Sequence, residues 1–295
     1  MIFKRARVSI GPAVAVKLVL LCRSAAPQAQ IAAFGEMFPA GQLAAVGNCD
    51  ALRAGEGVSV LNNPTHAAWG ATWSFAGGYR RLYELEYLQR VWGAAKYHRD
   101  HWGAAFTVTR LGKEEFYTET DAAFAFALRP WRRLAIGMDL HNLRLAYTTE
   151  APTYSGWSCG AGAIWSPISA LVAAGSIRNA IKQDFIPGYR VPRQYNLSVA
   201  VSLPGNVQLG TGWLKSEGAR AIFGLGQRIA VASNFNFLSA VYFNPARYAL
   251  GAEFVLRGQA LSYTYLSHPD LGGTHYIEFA LNPRGMSVDQ EKLQR

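Results

Sequence analysis

The stretch LSYTYLSHPDLGGTHYIEFAL, residues 261–281, contains two alternating segments separated by a Pro-Asp-Leu-Gly-Gly break. One face of the second segment is largely apolar and carries His275, Ile277, Phe279 and Leu281. A period of two predicts β-strands, because successive side chains of a strand point to opposite faces. The fold therefore depends on what covers this apolar face, either a second sheet or lipid.

The same alternation recurs from about residue 69 to the end of the chain and predicts about fourteen strands. In the fifth strand the apolar set changes phase between Leu140 and Leu143, which predicts a β-bulge. The predicted strands span residues 69–75, 91–97, 102–110, 120–128, 134–147, 156–165, 171–177, 195–203, 207–214, 220–227, 234–243, 247–257, 260–268 and 274–281.

Connections and tryptophans favour a membrane barrel over a soluble sandwich. In the first half of the chain, longer connections (76–90, 111–119, 148–155, 178–194) alternate with tight turns, as external loops and periplasmic turns do in such barrels. Most tryptophans lie at or next to predicted strand ends, which is typical of aromatic girdles: Trp69, Trp92, Trp102, Trp131, Trp157, Trp165 and Trp213. We therefore expect an all-β, transmembrane antiparallel barrel whose apolar face contacts lipid. A soluble all-β secreted protein is the alternative.

The opposite strand faces consist mainly of Gly, Ala, Ser, Asn and Gln, with occasional charges. By alternation, these faces also carry Lys96, Asp139, Glu253 and Glu278. Charged side chains are costly in lipid and inexpensive in a water-filled lumen, so we expect these four to face the lumen.

The first residues look like a secretory signal peptide. They combine a basic start, an apolar stretch at 8–21 and small residues at 24–29, which predicts a signal peptide over residues 1–29. Residues 1–30 hold five basic and no acidic side chains, so the formal charge of +10 falls to about +5 for the remainder. This weakens any nucleic-acid role. Cys49 and Cys159 then remain, enough for one disulfide or two free thiols.

Three segments resemble a known family of outer-membrane proteins. Residues 55–75, GEGVSVLNNPTHAAWGATWSF, resemble the segment that enters the barrel in FadL-like and PorV/PorQ-like proteins, through the motif at Asn62, Asn63 and Pro64. Residues 127–143, ALRPWRRLAIGMDLHNL, and the terminal LGGTHYIEFAL are also similar to PorV/PorQ members. The resemblance implies an N-terminal segment (30–68) partly plugging the lumen, a barrel (69–282) and a periplasmic tail (283–295) in the outer membrane of a Gram-negative-type bacterium.

The same resemblance implies two alternative functions. PorV-like proteins serve secretion as partners of a secretion machine, whereas FadL-like proteins admit hydrophobic small molecules. The small, polar inward rows favour the secretion partner, because a greasy ligand would find few contacts in the lumen. The expected partners are outer-membrane lipid and either secretion-system proteins or hydrophobic small molecules, with no nucleic acid and no cofactor.

Two predicted loops carry candidate partner-binding residues. Tyr79, Tyr83 and Tyr87 recur at helical spacing, which predicts a short amphipathic helix at the rim. The second loop, 178–194, is strongly basic and is the better candidate for a protein partner or a lipid headgroup: it contains Arg178, Lys182, Arg190 and Arg193.

One motif resembles a catalytic site. Residues 156–160, Gly-Trp-Ser-Cys-Gly, fit G-x-S-x-G, the nucleophile elbow, which requires a strand, a sharp turn and a helix. The next residues, 160–165, alternate as a strand does, so Ser158 is not expected to be a nucleophile. His98 and His101 flank a tight turn without further metal ligands nearby. We expect no enzyme activity and no metal site.

Overall fold

The computed structural model describes residues 38–113, 117–147, 153–181, 184–186 and 189–282. The predicted signal peptide and the predicted C-terminal tail lie outside the described residues, as does Lys182. No helix in these ranges is long and apolar enough to cross a membrane.

Fourteen strands of the described chain form one closed antiparallel barrel, in which the first strand pairs with the last. The predicted all-β barrel of about fourteen strands is confirmed. A small separate hairpin, β8 (Asp184–Ile186) and β9 (Tyr189–Arg190), lies in the connection between β7 and β10. The barrel strands are β1 (Trp73–Arg81), β2 (Gln89–Arg99), β3 (Trp102–Lys113), β4 (Tyr117–Trp131), β5 (Leu134–Tyr147), β6 (Thr153–Ile168), β7 (Leu171–Arg178), β10 (Gln194–Leu203), β11 (Val207–Ser216), β12 (Ile222–Ala232), β13 (Phe235–Phe243), β14 (Arg247–Leu256), β15 (Gln259–His268) and β16 (Gly272–Leu281).

Tight turns fix the register at one end of the barrel. Between β14 and β15 only Arg257 and Gly258 separate the paired residues Leu256 and Gln259. Both turn residues have positive φ, 50° and 79°. Two left-handed residues match the twist of a two-residue hairpin, and glycine adopts that conformation without steric cost.

Side chains alternate between a buried inward face and an exposed outward face. In β10, Ser198 and Ala200 are buried, whereas Leu197 and Val199 are 56% and 40% exposed. In the stretch 261–281 the pattern is the same, since Ile277 is 56% exposed and its neighbour Glu278 is buried. The outer surface therefore carries apolar side chains around the barrel, opposite to the surface of a soluble protein.

The beginning of the barrel differs from the sequence prediction. The first strand was expected at 69–75, but β1 spans Trp73–Arg81. Most of the predicted loop 76–90 is therefore strand, and the loop itself is limited to residues 82–88. The glycines in the middle of β1 obscured the strand pattern, and at Gly78 an added Cβ would lie 2.5 Å from the indole nitrogen of Trp92. Close packing thus explains the missing side chain.

The predicted bulge in the fifth strand is wrong, although its bounds, 134–147, are those of β5. β5 pairs with β6 in continuous register from Leu134 to Ala146. Leu143 and Leu145 are buried because they point inward and pack with Val191, which lies in the connection between β7 and β10. The phase change therefore marks the level where the outward face becomes polar, at Asn142 and Arg144, and not an inserted residue.

Two tryptophans assigned to interfacial girdles are not there. Trp69 and Trp92 are 3% and 4% exposed. Trp69 belongs to the chain before β1, and Trp92 points into the barrel from β2. Tryptophans exposed near strand ends are Trp73, Trp102, Trp131, Trp157 and Trp165.

Candidate functional site

The segment before β1, Phe38–Trp69, is buried at every residue. We call it the N-terminal segment. It contains one α-helical turn, α1 (Gly41–Ala44), and three 3-10 turns, at Asp50–Arg53, Gly57–Leu61 and Pro64–Ala68. Its side chains contact the inward-facing residues of the barrel strands, so the segment and the wall together form the candidate site, the luminal interface.

Buried charges join the segment to the wall. Arg53 contacts Glu56 within the segment and Glu253 of β14, with 2.5 Å between Arg53 Nη2 and Glu253 Oε2. Arg228 of β12 completes the ring, at 2.9 Å from Glu253 and 3.1 Å from Glu56. Asn236 donates to Glu253 Oε1 at 2.8 Å. Two positive and two negative groups balance one another, which is the condition for burying charges at tolerable cost.

A second polar cluster surrounds His66, which is fully buried. Its Nδ1 accepts from the Gly55 backbone N–H at 3.2 Å, so the ring proton is assigned to Nε2, which lies 3.2 Å from Asp50 Oδ2. Ser198 of β10 donates to the same carboxylate. The segment thus has a second carboxylate-centred attachment to the wall.

Two of the four predicted lumen-facing charges hold backbone groups of the segment. Glu278 of β16 accepts from the N–H groups of Gly41 and Gln42, at 2.7 and 2.8 Å, at the start of α1. Lys96 of β2 donates to carbonyl oxygens of the segment, including His66 at 3.2 Å. These contacts satisfy groups of irregular backbone that would otherwise be buried without partners.

The motif residues lie at the centre of this interface. The Asn63 side chain accepts from the Thr65 N–H at 3.1 Å and donates to the Gly175 carbonyl oxygen of β7 at 3.2 Å. Asn62 donates to Asn48 Oδ1 at 3.0 Å, and Pro64 begins the last 3-10 turn. Asn63 therefore both caps that turn and joins it to the wall.

Glycines of the wall make room for the segment backbone. An added Cβ at Gly226 of β12 would lie 2.1 Å from the Val46 carbonyl carbon, and one at Gly212 of β11 would lie 2.4 Å from the Gly47 oxygen. At Gly162 of β6 it would lie 2.1 Å from Asn63 Oδ1. The inward rows are small because main chain and short polar groups occupy the space next to them.

A third charged cluster lies toward the end with the longer loops. His141 of β5 lies between two carboxylates, with Nδ1 at 2.8 Å from Asp121 of β4 and Nε2 at 3.1 Å from Asp139. Arg178, at the end of β7, reaches Asp121 at 2.6 Å. All four side chains face inward, so Arg178 stabilises the wall and is not presented by a loop.

The other predicted loop residues are scattered. Arg190 is exposed and Arg193 is half-buried. Tyr79 faces outward from β1, and Tyr83 has positive φ and packs edge-on against His268, 5.0 Å between ring centroids. Tyr87 is exposed, with the Lys113 ammonium 5.6 Å from its ring. The predicted amphipathic helix is wrong, since one 3-10 turn, Leu82–Glu84, comes directly after β1.

The remaining candidates show no arrangement for catalysis or metal binding among the described residues. Ser158 is buried within β6 and donates to Asn179 Oδ1 at 2.9 Å. Both cysteines in the described residues are free, Cys49 buried and Cys159 half-buried. No group of three His, Cys, Asp or Glu side chains in the described ranges is placed to hold a metal ion.

A small cavity lies between the N-terminal segment and the wall, toward the loop end of the barrel. It is barely large enough for a water molecule and is lined by Pro39, Asn62, Ser176, Arg178, Gln194, Asn196 and Leu214. The buried Asn196 amide has no hydrogen-bond partner in the described chain, which suits an ordered water.

Sequence reasoning did not identify the residues that attach the segment most firmly, Arg53, Glu56, Asp50, His66 and Arg228. The one available signal was the mixture of charges in an otherwise apolar stretch, CDALRAGE at 49–56. Their partners in the wall lie far away in the sequence, 200 positions in the case of Arg53 and Glu253, and only closure of the barrel brings them together.

The fold is similar to that of several solved outer-membrane structures. The toluene transporter TbuX of Ralstonia pickettii matches with a TM-score of 0.61 at 9% identity, over 85% of this chain and 99% of that chain. The toluene transporter TodX of Pseudomonas putida gives 0.62 at 8%, over 85% and 98%. A FadL homologue of Pseudomonas aeruginosa gives 0.57 at 12%, over 84% and 96%.

No protein-family model and no curated protein sequence matches the chain. At identities this low the structural similarity establishes the architecture alone. On that basis the chain has the fold of the FadL-type outer-membrane β-barrels.

Proposed function

We propose that the protein is an integral outer-membrane barrel that admits hydrophobic small molecules, with the N-terminal segment acting as its plug. The observation that supports this proposal is the burial of the segment against the inward face of the barrel, to which charges and hydrogen bonds attach it. Water can replace such polar contacts more readily than it can enter an apolar core. The segment is therefore suited to being displaced while the barrel stays closed.

The membrane location rests on the outward face, whose exposed apolar side chains would be unfavourable in water. The class of cargo is inferred from the two structurally similar toluene transporters. For this chain the cargo is accordingly expected to be small and apolar.

A disulfide between the segment and the wall tests the plug directly. A Cβ at Gly210 of β11 would lie 2.6 Å from both Cys49 Sγ and Leu52 Cδ1, so Gly210→Cys brings two sulfurs within bonding reach once these flexible side chains shift. Burial raises the pKa of the Cys49 thiol to about 12, so the bond must be formed with an added oxidant. Cys159→Ser serves as the background to prevent other pairings.

We expect oxidised Gly210→Cys protein in liposomes to lose most of the toluene flux of its parent, and reduction to restore it. The oxidised Cys159→Ser parent is the matched control. Flux that is unchanged by oxidation, with the disulfide verified by mass spectrometry, would contradict the plug.

A second candidate function, a partner in protein secretion of the PorV/PorQ type, is favoured by a specific observation. The cavity lined by Pro39, Asn62 and Arg178 is barely large enough for a water molecule and has mostly polar side chains around it, so it is not a pocket for an apolar ligand. A detergent pull-down comparing the full chain with a chain lacking residues 180–192 distinguishes the two functions. Specific proteins lost on deletion, together with flux that does not depend on the protein, would favour the secretion partner.

We also propose that the protein is not an enzyme. Ser158 lies within a regular strand and donates its hydroxyl to Asn179, so it lacks the exposed position of a nucleophile. Ser158→Ala should leave any measured ester hydrolysis unchanged. A hydrolytic activity abolished by this substitution would refute the proposal.

A further inference from the structure

Two arginines lie in one row across the outward face of β3 to β6. Arg110 of β3 pairs in register with Thr120 of β4, and Thr120 pairs with Arg144 of β5. Ser155 of β6 continues the row. Arg110, Arg144 and Ser155 are exposed and Thr120 is partly exposed. Since neighbouring strands lie about 4.8 Å apart, the two arginine Cα atoms are separated by about 10 Å, with a hydroxyl between them.

The surface toward the opposite rim is apolar. Phe106 and Val108 precede Arg110 on the outward face of β3, and Phe124 and Leu140 occupy the neighbouring strands, all of them exposed. Between Trp102 and Arg110 the strand rises about 27 Å, which at a tilt of about 40° corresponds to about 20 Å of depth. The row therefore lies at the edge of the apolar band, where lipid headgroups are expected.

The charges described on this outward surface, Arg110 and Arg144, are positive. The acidic residues described on these strands, Glu119, Asp121 and Asp139, are all buried on the inward face. The two adjoining loops contain Glu114, Glu115 and Glu150, which lie outside the described residues. Arg110 has a further interaction within the protein. Because a guanidinium has five N–H donors, Arg110 keeps donors for a ligand.

We propose that this row, Arg110, Thr120, Arg144 and Ser155, is a binding site for the phosphate of an outer-leaflet lipid. Guanidinium groups bind phosphate oxygens bidentately, and the two hydroxyls add donors between and beside them. The adjacent aromatic and aliphatic side chains offer an apolar surface for the acyl chains. The site rests on the proposed membrane location but not on the transport function.

The combination of two arginines with an apolar surface favours a lipid over free phosphate. Inorganic phosphate would form ion pairs only with the two solvent-exposed guanidinium groups. Such exposed ion pairs are weak and screened by salt. An acylated phosphate also buries hydrocarbon against the barrel. Binding should therefore require both the phosphate and the acyl chains.

The test uses the full-length protein purified in a non-ionic detergent, with native mass spectrometry to measure binding of lipid A. Dephosphorylated lipid A and inorganic phosphate serve as the two comparison ligands. The variant is Arg110→Gln with Arg144→Gln. The matched control is Arg99→Gln with Arg132→Gln, which removes the same charge at the opposite rim, where both side chains are exposed.

We expect the double variant to bind lipid A at least about tenfold more weakly than wild type, because each of the two arginines contributes to the electrostatic part of the affinity. The control variant should stay within about twofold of wild type, and Arg110→Lys with Arg144→Lys should retain part of the affinity. Wild type should bind dephosphorylated lipid A and inorganic phosphate weakly.

Heat-dependent gel mobility reports whether each variant is folded. Equal binding of lipid A by folded wild type and the folded double variant would overturn the site, as would equal binding of the phosphorylated and dephosphorylated lipids. Inorganic phosphate that competes fully with lipid A would overturn the lipid as the ligand. A wild-type protein without heat-dependent mobility would overturn the membrane location as well, which distinguishes the two failures.

Discussion

At the scale of single residues, the contact between Arg53 and Glu253 joins positions 200 apart in the sequence. Both side chains are 1% exposed, so neither charge has compensation from water. Removing one member of a buried pair leaves the other uncompensated, which costs more than the pair itself contributes. The ring that these two residues form with Glu56 and Arg228 is therefore expected to be sensitive to any change of charge.

Glu253→Gln should destabilise the folded barrel by about 3 kcal/mol, because Arg53 and Arg228 both lose a carboxylate that they contact while the shape of the side chain is kept. The measurement is urea unfolding in lipid vesicles, followed by tryptophan fluorescence. Glu86→Gln is the control: its exposed carboxylate contacts Lys113, whose hydrogen bond and charge lower the pKa of Glu86, and stability should be nearly unchanged. A loss below about 0.5 kcal/mol for Glu253→Gln would contradict the role of the ring.

At the scale of elements, the wall strands and the N-terminal segment fit through their backbones. Gly226 of β12 lies so close to Val46 that any side chain would collide with main-chain atoms, which cannot move aside as a flexible side chain does. Small residues on the inward face thus have a packing reason in addition to the polar lumen predicted from the sequence.

Gly226→Val should expel this part of the segment while leaving the barrel closed. Limited proteolysis is the measurement, and we expect tryptic cleavage at Arg53, which is buried in the intact protein. Gly93→Val on β2 is the control, since an added Cβ there meets only Val108 at 3.8 Å. If both variants resist trypsin equally while keeping heat-dependent mobility, the segment does not depend on Gly226.

The outward faces of the strands give an independent prediction about the membrane. Phe124 lies in the middle of β4 and is 56% exposed. Phe124→Arg should destabilise the vesicle-inserted protein by about 2–4 kcal/mol, the cost of arginine near the bilayer midplane. Tyr195→Arg, near the loop end of β10, should cost at most about 1 kcal/mol. Equal small effects in both variants, measured by urea unfolding in vesicles, would argue against a lipid-facing band.

At the scale of the whole molecule, closure of the sheet removes every free strand edge from the barrel, and the N-terminal segment packs against its inward face. A barrel of fourteen strands is wide, and small inward side chains do not fill the space that it encloses. The segment therefore replaces the large inward side chains that a smaller barrel would use.

Removing residues 38–68 should convert a closed barrel into an open pore, because the remaining inward face is small and polar. Planar-bilayer recordings should show a conductance well above that of the full chain. Heat-dependent mobility checks that the shortened protein has folded, and Gly226→Val provides a full-length comparison. A folded, shortened protein with no added conductance would show that the segment is not what closes the lumen.

The sequence alone determined the strand periodicity, the barrel class and the apolar face exemplified by Ile277 and Phe279. These properties are local, since a period of two is written into consecutive residues and depends on no distant partner. The bounds of β5 came from the same signal. The start of β1 did not, because Gly77 and Gly78 removed the apolar side chains on which the pattern depends.

Only the tertiary structure decided which charges meet. Lys96 and Glu278 were predicted to face the lumen, but their backbone partners in the N-terminal segment were not visible in the sequence. The same holds for Arg53, whose partner Glu253 comes near only when β12 to β14 curve around the segment. Long-range pairing depends on closure and register, which are properties of all fourteen strands together, so a single stretch of sequence carries no record of it.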